Sequence, residues 1–365
     1  MPYCRRCGTQ LEENARFCHK CGTPVAVDAT YASPPSPPQS AYRPAAPMKP
    51  WHKDTLVVAT IVLVTILLVA VVAVALLTAP LGSWSLSESL EDKTEGVKTV
   101  NLNFHTNVGQ IIIFTQKMGN NNIGIYVQAN GSRGLFGNRD NPVSITFDNQ
   151  TVGDVLTVNS SVHVEDVATS RSRVQIMIYV DPDLTLDFNV SSTTGQVSFT
   201  GNQDAVIQNL NLHAVTGEVQ ANLETGVIVT GNVSLSTTTG AVNYRMSQTF
   251  VFGNCTVNLH SVTGEVNMDI TQTKTLDGNL WVNSETTTGS INLGLTIDDG
   301  VGAKIASDTG GFGNVHTDLN NFNGENELVQ SANYPSASNI EIDNKIHAFG
   351  SVYIQASYLT VTIAS

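Results

Sequence analysis

The stretch "TTTGSINLGL", Thr286 to Leu295, decides the fold, because its Thr-Gly-x-apolar core recurs along the chain. It is read again in "STTGQVSF" (192–199), "VTGEVQANL" (215–223), "TTTGAVNYRM" (237–246), "VTGEVNMDI" (262–270) and "DTGGFGNV" (308–315). The glycines, Gly195, Gly217, Gly240, Gly264, Gly289 and Gly310, are 22, 23, 24, 25 and 21 residues apart. A period in the low twenties is the length of one solenoid turn. Seven residues before each glycine stand Phe188, Leu210, Val233, Val257, Val282 and Ala303. Five before stand Val190, Leu212, Leu235, Leu259, Ser284 and Ile305; two after stand Val197, Val219, Val242, Val266, Ile291 and Phe312.

Alternate residues of a strand face the same way, so these columns predict an inward face, with Thr, Asn, Ser and Glu between them facing water. Each unit reads as strand, Thr-Gly bend, strand and a looser return. One such unit cannot bury its apolar face, but stacked units share a continuous core. The expectation is an all-β ectodomain of right-handed parallel β-solenoid-like repeats over 97–365; the alternative is an antiparallel β-sandwich with Thr-Gly hairpin turns. Gly310 is placed as the sixth corner. "FHTNVGQIIIF" (104–114) and "IHAFGSVYIQA" (346–356) read as degenerate copies at the two ends. Cys255, nine before Gly264, is in phase with the inward positions and reads as a small buried hydrophobe.

"LVVATIVLVTILLVAVVAVALL", Leu56 to Leu77, has no charge, Gly or Pro. At a rise of about 1.5 Å per residue it is long enough to cross a hydrocarbon core. A single transmembrane helix is expected over 55–79. Arg43, Lys49 and Lys53 precede it, whereas Glu88, Glu91, Asp92 and Glu95 follow among Lys93 and Lys98. Basic residues stay on the cytoplasmic side, so the N-terminus is expected inside and the C-terminal domain outside. Residues 80–96 read as a juxtamembrane linker. Residues 1–80 carry a net charge of +3 and the remainder −16. So acidic a large region is not expected to bind nucleic acid, whose phosphates are held by Lys and Arg.

At the N-terminus, "CRRCGTQLEENARFCHKCG" places Cys4, Cys7, Cys18 and Cys21 as two C-x-x-C pairs. Two such pairs supply the four thiolates of a tetrahedral structural Zn²⁺, and Gly8 and Gly22 let each turn close. So small a unit has no room for an apolar core, and the metal provides its folding energy. His19 reads as a surface residue and not as a fifth ligand. Residues 25–54, with "SPPSPPQS" and "RPAAP", read as an extended Pro-rich linker.

Two resemblances attach to these motifs. Residues 3–24 resemble the short zinc ribbon found at the N-terminus of many prokaryotic proteins, which implies a structural zinc and a docking surface. The Thr-Gly units, with the lead-in "VQIMIYVDPDLTLDFNVSSTTG" (174–195), resemble the "putative adhesin" family of prokaryotic β-solenoid domains. That resemblance implies a cell-surface role and names no ligand.

Catalysis on such a fold needs clustered carboxylates on one face. Glu218 and Glu265 share an offset from their glycines, but Gln196, Ala241, Ser290 and Gly311 occupy the equivalent positions, so no acidic column runs between them. His213 and His260 also share an offset, two repeats apart and too far for one metal. "IDDG" (297–300) reads as a turn. The chain is therefore expected not to be an enzyme, a polysaccharide-acting activity being the least favoured reading. Expected partners are the membrane, an envelope protein or glycan outside, and a cytosolic protein at the ribbon.

Overall fold

The computed structural model describes residues 3–4, 6–12, 15–24, 55–78, 82–133, 142–165, 171–202, 204–311 and 313–359. The Pro-rich linker and Phe312 lie outside the described residues. The chain divides into two compact units, Met1–Val69 and Ala70–Ser365.

The first unit contains the ribbon. Its two knuckles are built alike. Cys4 N donates to Thr9 O at 2.9 Å and Gly8 N to Cys4 O at 2.9 Å; Cys18 N donates to Thr23 O at 2.9 Å and Gly22 N to Cys18 O at 2.8 Å. Gly8 and Gly22 adopt φ of +68° and +70°, the left-handed turn that a Cβ resists. Leu11 packs against Cys4 and Cys18, with Ala15 partly buried against them, so among the described residues the apolar core is very small.

A helix forms over most of the segment 55–79. Helix α1 (Thr55–Thr78) is 24 residues long and, from Val62 to Val72, every side chain described is exposed and all but Thr65 are apolar. Among the described residues no helix is long and apolar enough to cross a membrane, so the expected transmembrane span is not supported here.

The β region begins earlier than expected. Residues 80–96 are mostly strand, not linker: β1 (Gly82–Asp92) pairs antiparallel with β4 (Ile123–Arg133) along its whole length. Its alternation of Trp84, Leu86 and Leu90 with Ser and Glu is a strand pattern that its acidic residues obscured. The intervening strands are β2 (Thr99–Val108) and β3 (Gln110–Thr115), with Gly109 as the bend between them. The next strands are β5 (Val143–Val152), β6 (Val155–Val164) and β7 (Arg171–Val180).

The repeats follow as two-stranded rungs: β8 (Thr185–Thr194) with β9 (Val197–Gly201), β10 (Val206–Thr216) with β11 (Val219–Leu223), and β12 (Ile228–Thr239) with β13 (Val242–Ser247). After the short β14 (Phe250–Val251) come β15 (Cys255–Thr263) with β16 (Val266–Gln272), and β17 (Leu280–Thr288) with β18 (Ile291–Asp298). Strands before the glycine bend stack in parallel as a first sheet, β8-β10-β12-β15-β17. Strands after it stack as a second sheet, β9-β11-β13-β16-β18. The parallel solenoid-like reading holds, and the antiparallel sandwich does not describe these rungs.

The inward columns fall as expected. The column side chains of the first five repeats, Phe188 to Val282, Val190 to Ser284 and Val197 to Ile291, are all buried, as is Cys255. Each fully buried Val, Leu or Phe contributes about 1.5–3 kcal/mol relative to exposure. The corners are fixed by close approach: Gly217, Gly240, Gly264 and Gly289 have φ of 145–150°, and a Cβ on any of them would overlap the carbonyl oxygen of the glycine one rung before. A column the sequence reading missed lies three residues before each glycine: Ser192, Ala214, Thr237, Ser261 and Thr286, all buried. Thr237, Ser261 and Thr286 donate to the carbonyls of Gly217, Gly240 and Gly264 at 2.9, 3.0 and 3.0 Å, satisfying an acceptor inside the corner.

At both ends the stacking order departs from the chain order. The last strands are β19 (Gly302–Asp308), β20 (Gly313–Asn320), β21 (Phe322–Glu325), β22 (Leu328–Ser331) and the long β23 (Asn339–Leu359). β23 spans both sheets and lies between the β17/β18 rung and the β19/β20 rung, parallel to both. Gly350, not Gly310, therefore follows Gly289 in the corner column, and the next corner residue is Gly313. Gly310 lies off the column, although Ala303 and Ile305 are buried as expected. "IHAFGSVYIQA" is thus an internal rung and not an end copy. The N-terminal end is plaited the same way: β2/β3 lies between β6/β7 and β8/β9. Antiparallel strands then close each end, β5 on β6 and β4 on β7 at one, and β22 on β19 at the other.

Two buried polar groups pin these ends. Asn344 on β23 is fully buried between Ser284 and Ser307, accepting from Ser284 Oγ at 2.6 Å and donating to Ser307 Oγ at 3.1 Å. Asp92, at the end of β1, accepts from Asn122 Nδ2 (2.9 Å), Asn149 Nδ2 (2.8 Å), Thr94 N (3.0 Å) and Thr94 Oγ1 (3.1 Å). Burial pushes its carboxyl up, but these donors, Asn122 first, outweigh it and hold the group below its ordinary value.

Candidate metal centre and surface sites

The four ribbon cysteines converge. Cys4 Sγ is 3.6 Å from Cys21 Sγ, Cys7 Sγ is 3.6 Å from Cys18 Sγ, and all four sulfurs lie within 4.8 Å of one another. With Zn–S bonds of about 2.3 Å, sulfurs at the corners of a tetrahedron stand about 3.8 Å apart. The donor set fits a zinc ion held by Cys4, Cys7, Cys18 and Cys21, with no open position for substrate or water. His19, between the second pair, is exposed, and the four-residue cluster does not include it.

The sequence reading overlooked Thr9 and Thr23. Each knuckle spells C-x-x-C-G-T, and the threonine hydroxyl lies beside the second sulfur, 3.3 Å from Cys7 and 3.2 Å from Cys21. The side chain and backbone of Thr9 hold the Cys7 thiol down at about 6, and Thr23 lowers Cys21. A repeated Thr two residues after the second Cys was the available signal. The same symmetry places Tyr3 and Phe17, each just before a first Cys, at 62% and 63% exposure.

In the β unit the weighed candidates stay apart. Glu218 accepts from Asn243 on the neighbouring rung, and Ala241 lies between Glu218 and Glu265. His213 and His260 have Ser236 between them in register, and His213 Nδ1 lies 2.8 Å from Ser236 Oγ. His260 instead faces Glu285 at 3.7 Å, with His347 on the inserted β23 at 3.8 Å from the same carboxylate. Sequence spacing could not reveal His347, because the plait brings it there. In "IDDG", Gly300 N donates to Asp298 Oδ1 at 3.2 Å and Tyr358 donates to Asp299, as in a turn.

Among curated proteins, none matches the sequence. Solved structures similar to this chain include "a putative cell adhesion protein" from Clostridium sporogenes ATCC 15579. It is 14% identical, with 74% of this chain and 99% of that one covered and a TM-score of 0.39. Another is "a putative adhesin" from Bacteroides fragilis NCTC 9343, 10% identical, with 74% and 96% covered and a TM-score of 0.27. At these scores the likenesses carry no argument about mechanism. Residues 3–25 match the zinc-ribbon domain family.

Proposed function

We propose that this chain is a single-pass membrane protein. Its N-terminal zinc ribbon is cytoplasmic, and its β-solenoid lies outside and contacts envelope or cell-surface molecules. The observation that carries the reading is α1. Its described side chains from Val62 to Val72 are exposed and, Thr65 apart, apolar. In water such a helix would leave a large apolar surface uncovered, whereas lipid solvates it on every side. The uncharged run from Leu56 to Leu77, at a rise of about 1.5 Å per residue, is what the sequence offers for the span. The basic residues before α1 and the acidic ones after it orient the ribbon inward, where thiolates stay reduced. The ectodomain acts by binding and carries out no chemistry.

Protease added to intact cells tests this. The expected result is loss of the β unit with a protected fragment containing the ribbon and α1. Protection of the whole chain until lysis would contradict the orientation.

A second reading is favoured by Tyr3 and Phe17. Two aromatic rings exposed at equivalent positions of the ribbon suit a protein docking face. In that reading the protein is a sensor or scaffold that recruits a cytosolic partner. A cytosolic protein that co-purifies with the wild type and is lost in the Tyr3→Ser, Phe17→Ser double variant would support it; unchanged co-purification would remove it.

A further inference from the structure

The outer face of the second sheet carries a groove of about 840 Å³ across six successive strands, β11, β13, β16, β18, β23 and β20. At about 4.8 Å per strand it is about 24 Å long. Along one side run Asn243, Asn267 and Asn292, in register on neighbouring rungs. Asn292 Nδ2 donates to Asn267 Oδ1 at 2.7 Å, and Asn267 Nδ2 to Asn243 Oδ1 at 2.8 Å. A side-chain amide has two N–H groups and two lone pairs, so the ladder leaves Asn267 one donor and one acceptor for a ligand. The next residue in this register is Tyr353, 46% exposed, whose ring is stacked on His316 at 4.9 Å and 12°. On the neighbouring row Gly294 has no side chain between Asp269 and Gln355, which opens the floor beside Tyr353.

We infer that this groove binds a neutral glycan chain lying along the stack. Sugar hydroxyls both donate and accept, and so do the rung amides. The apolar C–H face of a pyranose suits an exposed aromatic ring, whose π face is electron-rich. A few oriented polar groups beside an aromatic ring are the usual make-up of a small-ligand site. The charges exclude a polyanion: Arg245 is engaged with Asp269 at 3.3 Å, Asp318 adds a negative charge at the Tyr353 end, and the region after residue 80 is strongly acidic.

The inference deepens the proposed surface role and rests on it only for its biological setting. Binding by purified protein does not depend on membrane sidedness, so each can fail alone. Full-length protein in a sugar-free detergent is titrated with cellohexaose, mannohexaose and chitohexaose, with polygalacturonate as the anionic control. The first two arms are plain hexose chains and the third an N-acetylated one. At least one neutral chain is expected to bind. Tyr353→Ala and, separately, Asn267→Ala should weaken it at least about tenfold. Tyr353→Phe, which keeps the ring, should retain more binding than Tyr353→Ala, and the first-sheet variant Asn211→Ala should leave binding unchanged. No binding of any neutral chain, preference for polygalacturonate, or equal binding by both groove variants and the wild type would overturn the proposal.

Discussion

The five rungs from β8/β9 to β17/β18 and the two ends of the β unit are made of the same strands and follow different rules. In the middle, neighbours in space are neighbours in sequence, and five glycines keep one corner at intervals of 22 to 25 residues. At the ends a rung from elsewhere in the chain is inserted, β2/β3 at one and β23 at the other. Periodicity records what each residue faces, inward or outward, and not which rung lies beside it. The middle needs only the repeated corner. The ends need something that recognises a distant strand, and there the buried Asn344 and Asp92 are found.

The largest effect is expected from removing β23. In a solenoid stacked in chain order, loss of the last strand frays an edge. Here it removes the rung between β17/β18 and β19/β20 and exposes both faces. Truncation after residue 337 should abolish the cooperative thermal transition of the β unit, followed by circular dichroism. A truncated protein melting as sharply as the wild type would contradict the inserted position.

Glycine substitutions separate the true corner column from the one read by spacing. Gly289→Val and Gly350→Val force a Cβ into the carbonyl oxygen of the preceding corner, and each should cost more than about 3 kcal/mol. Gly310→Val meets Ile346 O at 3.2 Å and His347 O at 3.8 Å, with φ of +58°. Its cost should be that of the left-handed backbone, about 1–2 kcal/mol. Equal losses at Gly310 and Gly350 in denaturant titrations would restore the chain-order stack.

Asn344→Ala leaves Ser284 and Ser307 buried without their partner, and should cost about 1–3 kcal/mol. Asp92 makes the other end acid-sensitive. Its folded carboxyl titrates below its ordinary value of 3.8, so its contribution is present above that value and is lost as pH falls through the lowered one. Asp92→Asn should be less stable than the wild type at neutral pH, with the difference narrowing in acid; a constant difference from pH 7 to acid would show that the charge is not what matters.

The smallest contrast lies within one corner. Thr286, buried and bonded to Gly264 O, should cost about 1–3 kcal/mol as Val, because the carbonyl loses its donor. The exposed Thr288→Ala should fall within about 0.5 kcal/mol of the wild type.

Much of this could be read from the chain. Phe188, Leu210, Val233, Val257 and Val282 are inward because strand alternation is local, and the same reasoning placed Cys255. The zinc ligands were legible because two C-x-x-C pairs leave few other arrangements. Thr286 lies between the inward columns, where Thr was expected to face water, yet it is buried, since Thr serves equally on a wet face and as a buried donor to a carbonyl. Gly350 was legible as a corner, but its place in the stack was not: nothing in "AFGSV" states that Gly289 is its neighbour 61 residues earlier. The groove was hidden for the same reason. Tyr353 joins the Asn267–Asn292 row only once β23 is inserted.

Cysteine cross-linking tests the inserted rung most directly. Asn283 is in register with Asp343 across β17 and β23, whereas stacking in chain order would set Asn283 opposite Lys304, six residues before Gly310 as Asn283 is before Gly289. Mild oxidation of the double variants, followed by peptide mass analysis, should give a disulfide in Asn283→Cys/Asp343→Cys and none in Asn283→Cys/Lys304→Cys. The reverse pattern would contradict the plaited end, and with it the groove that β23 completes.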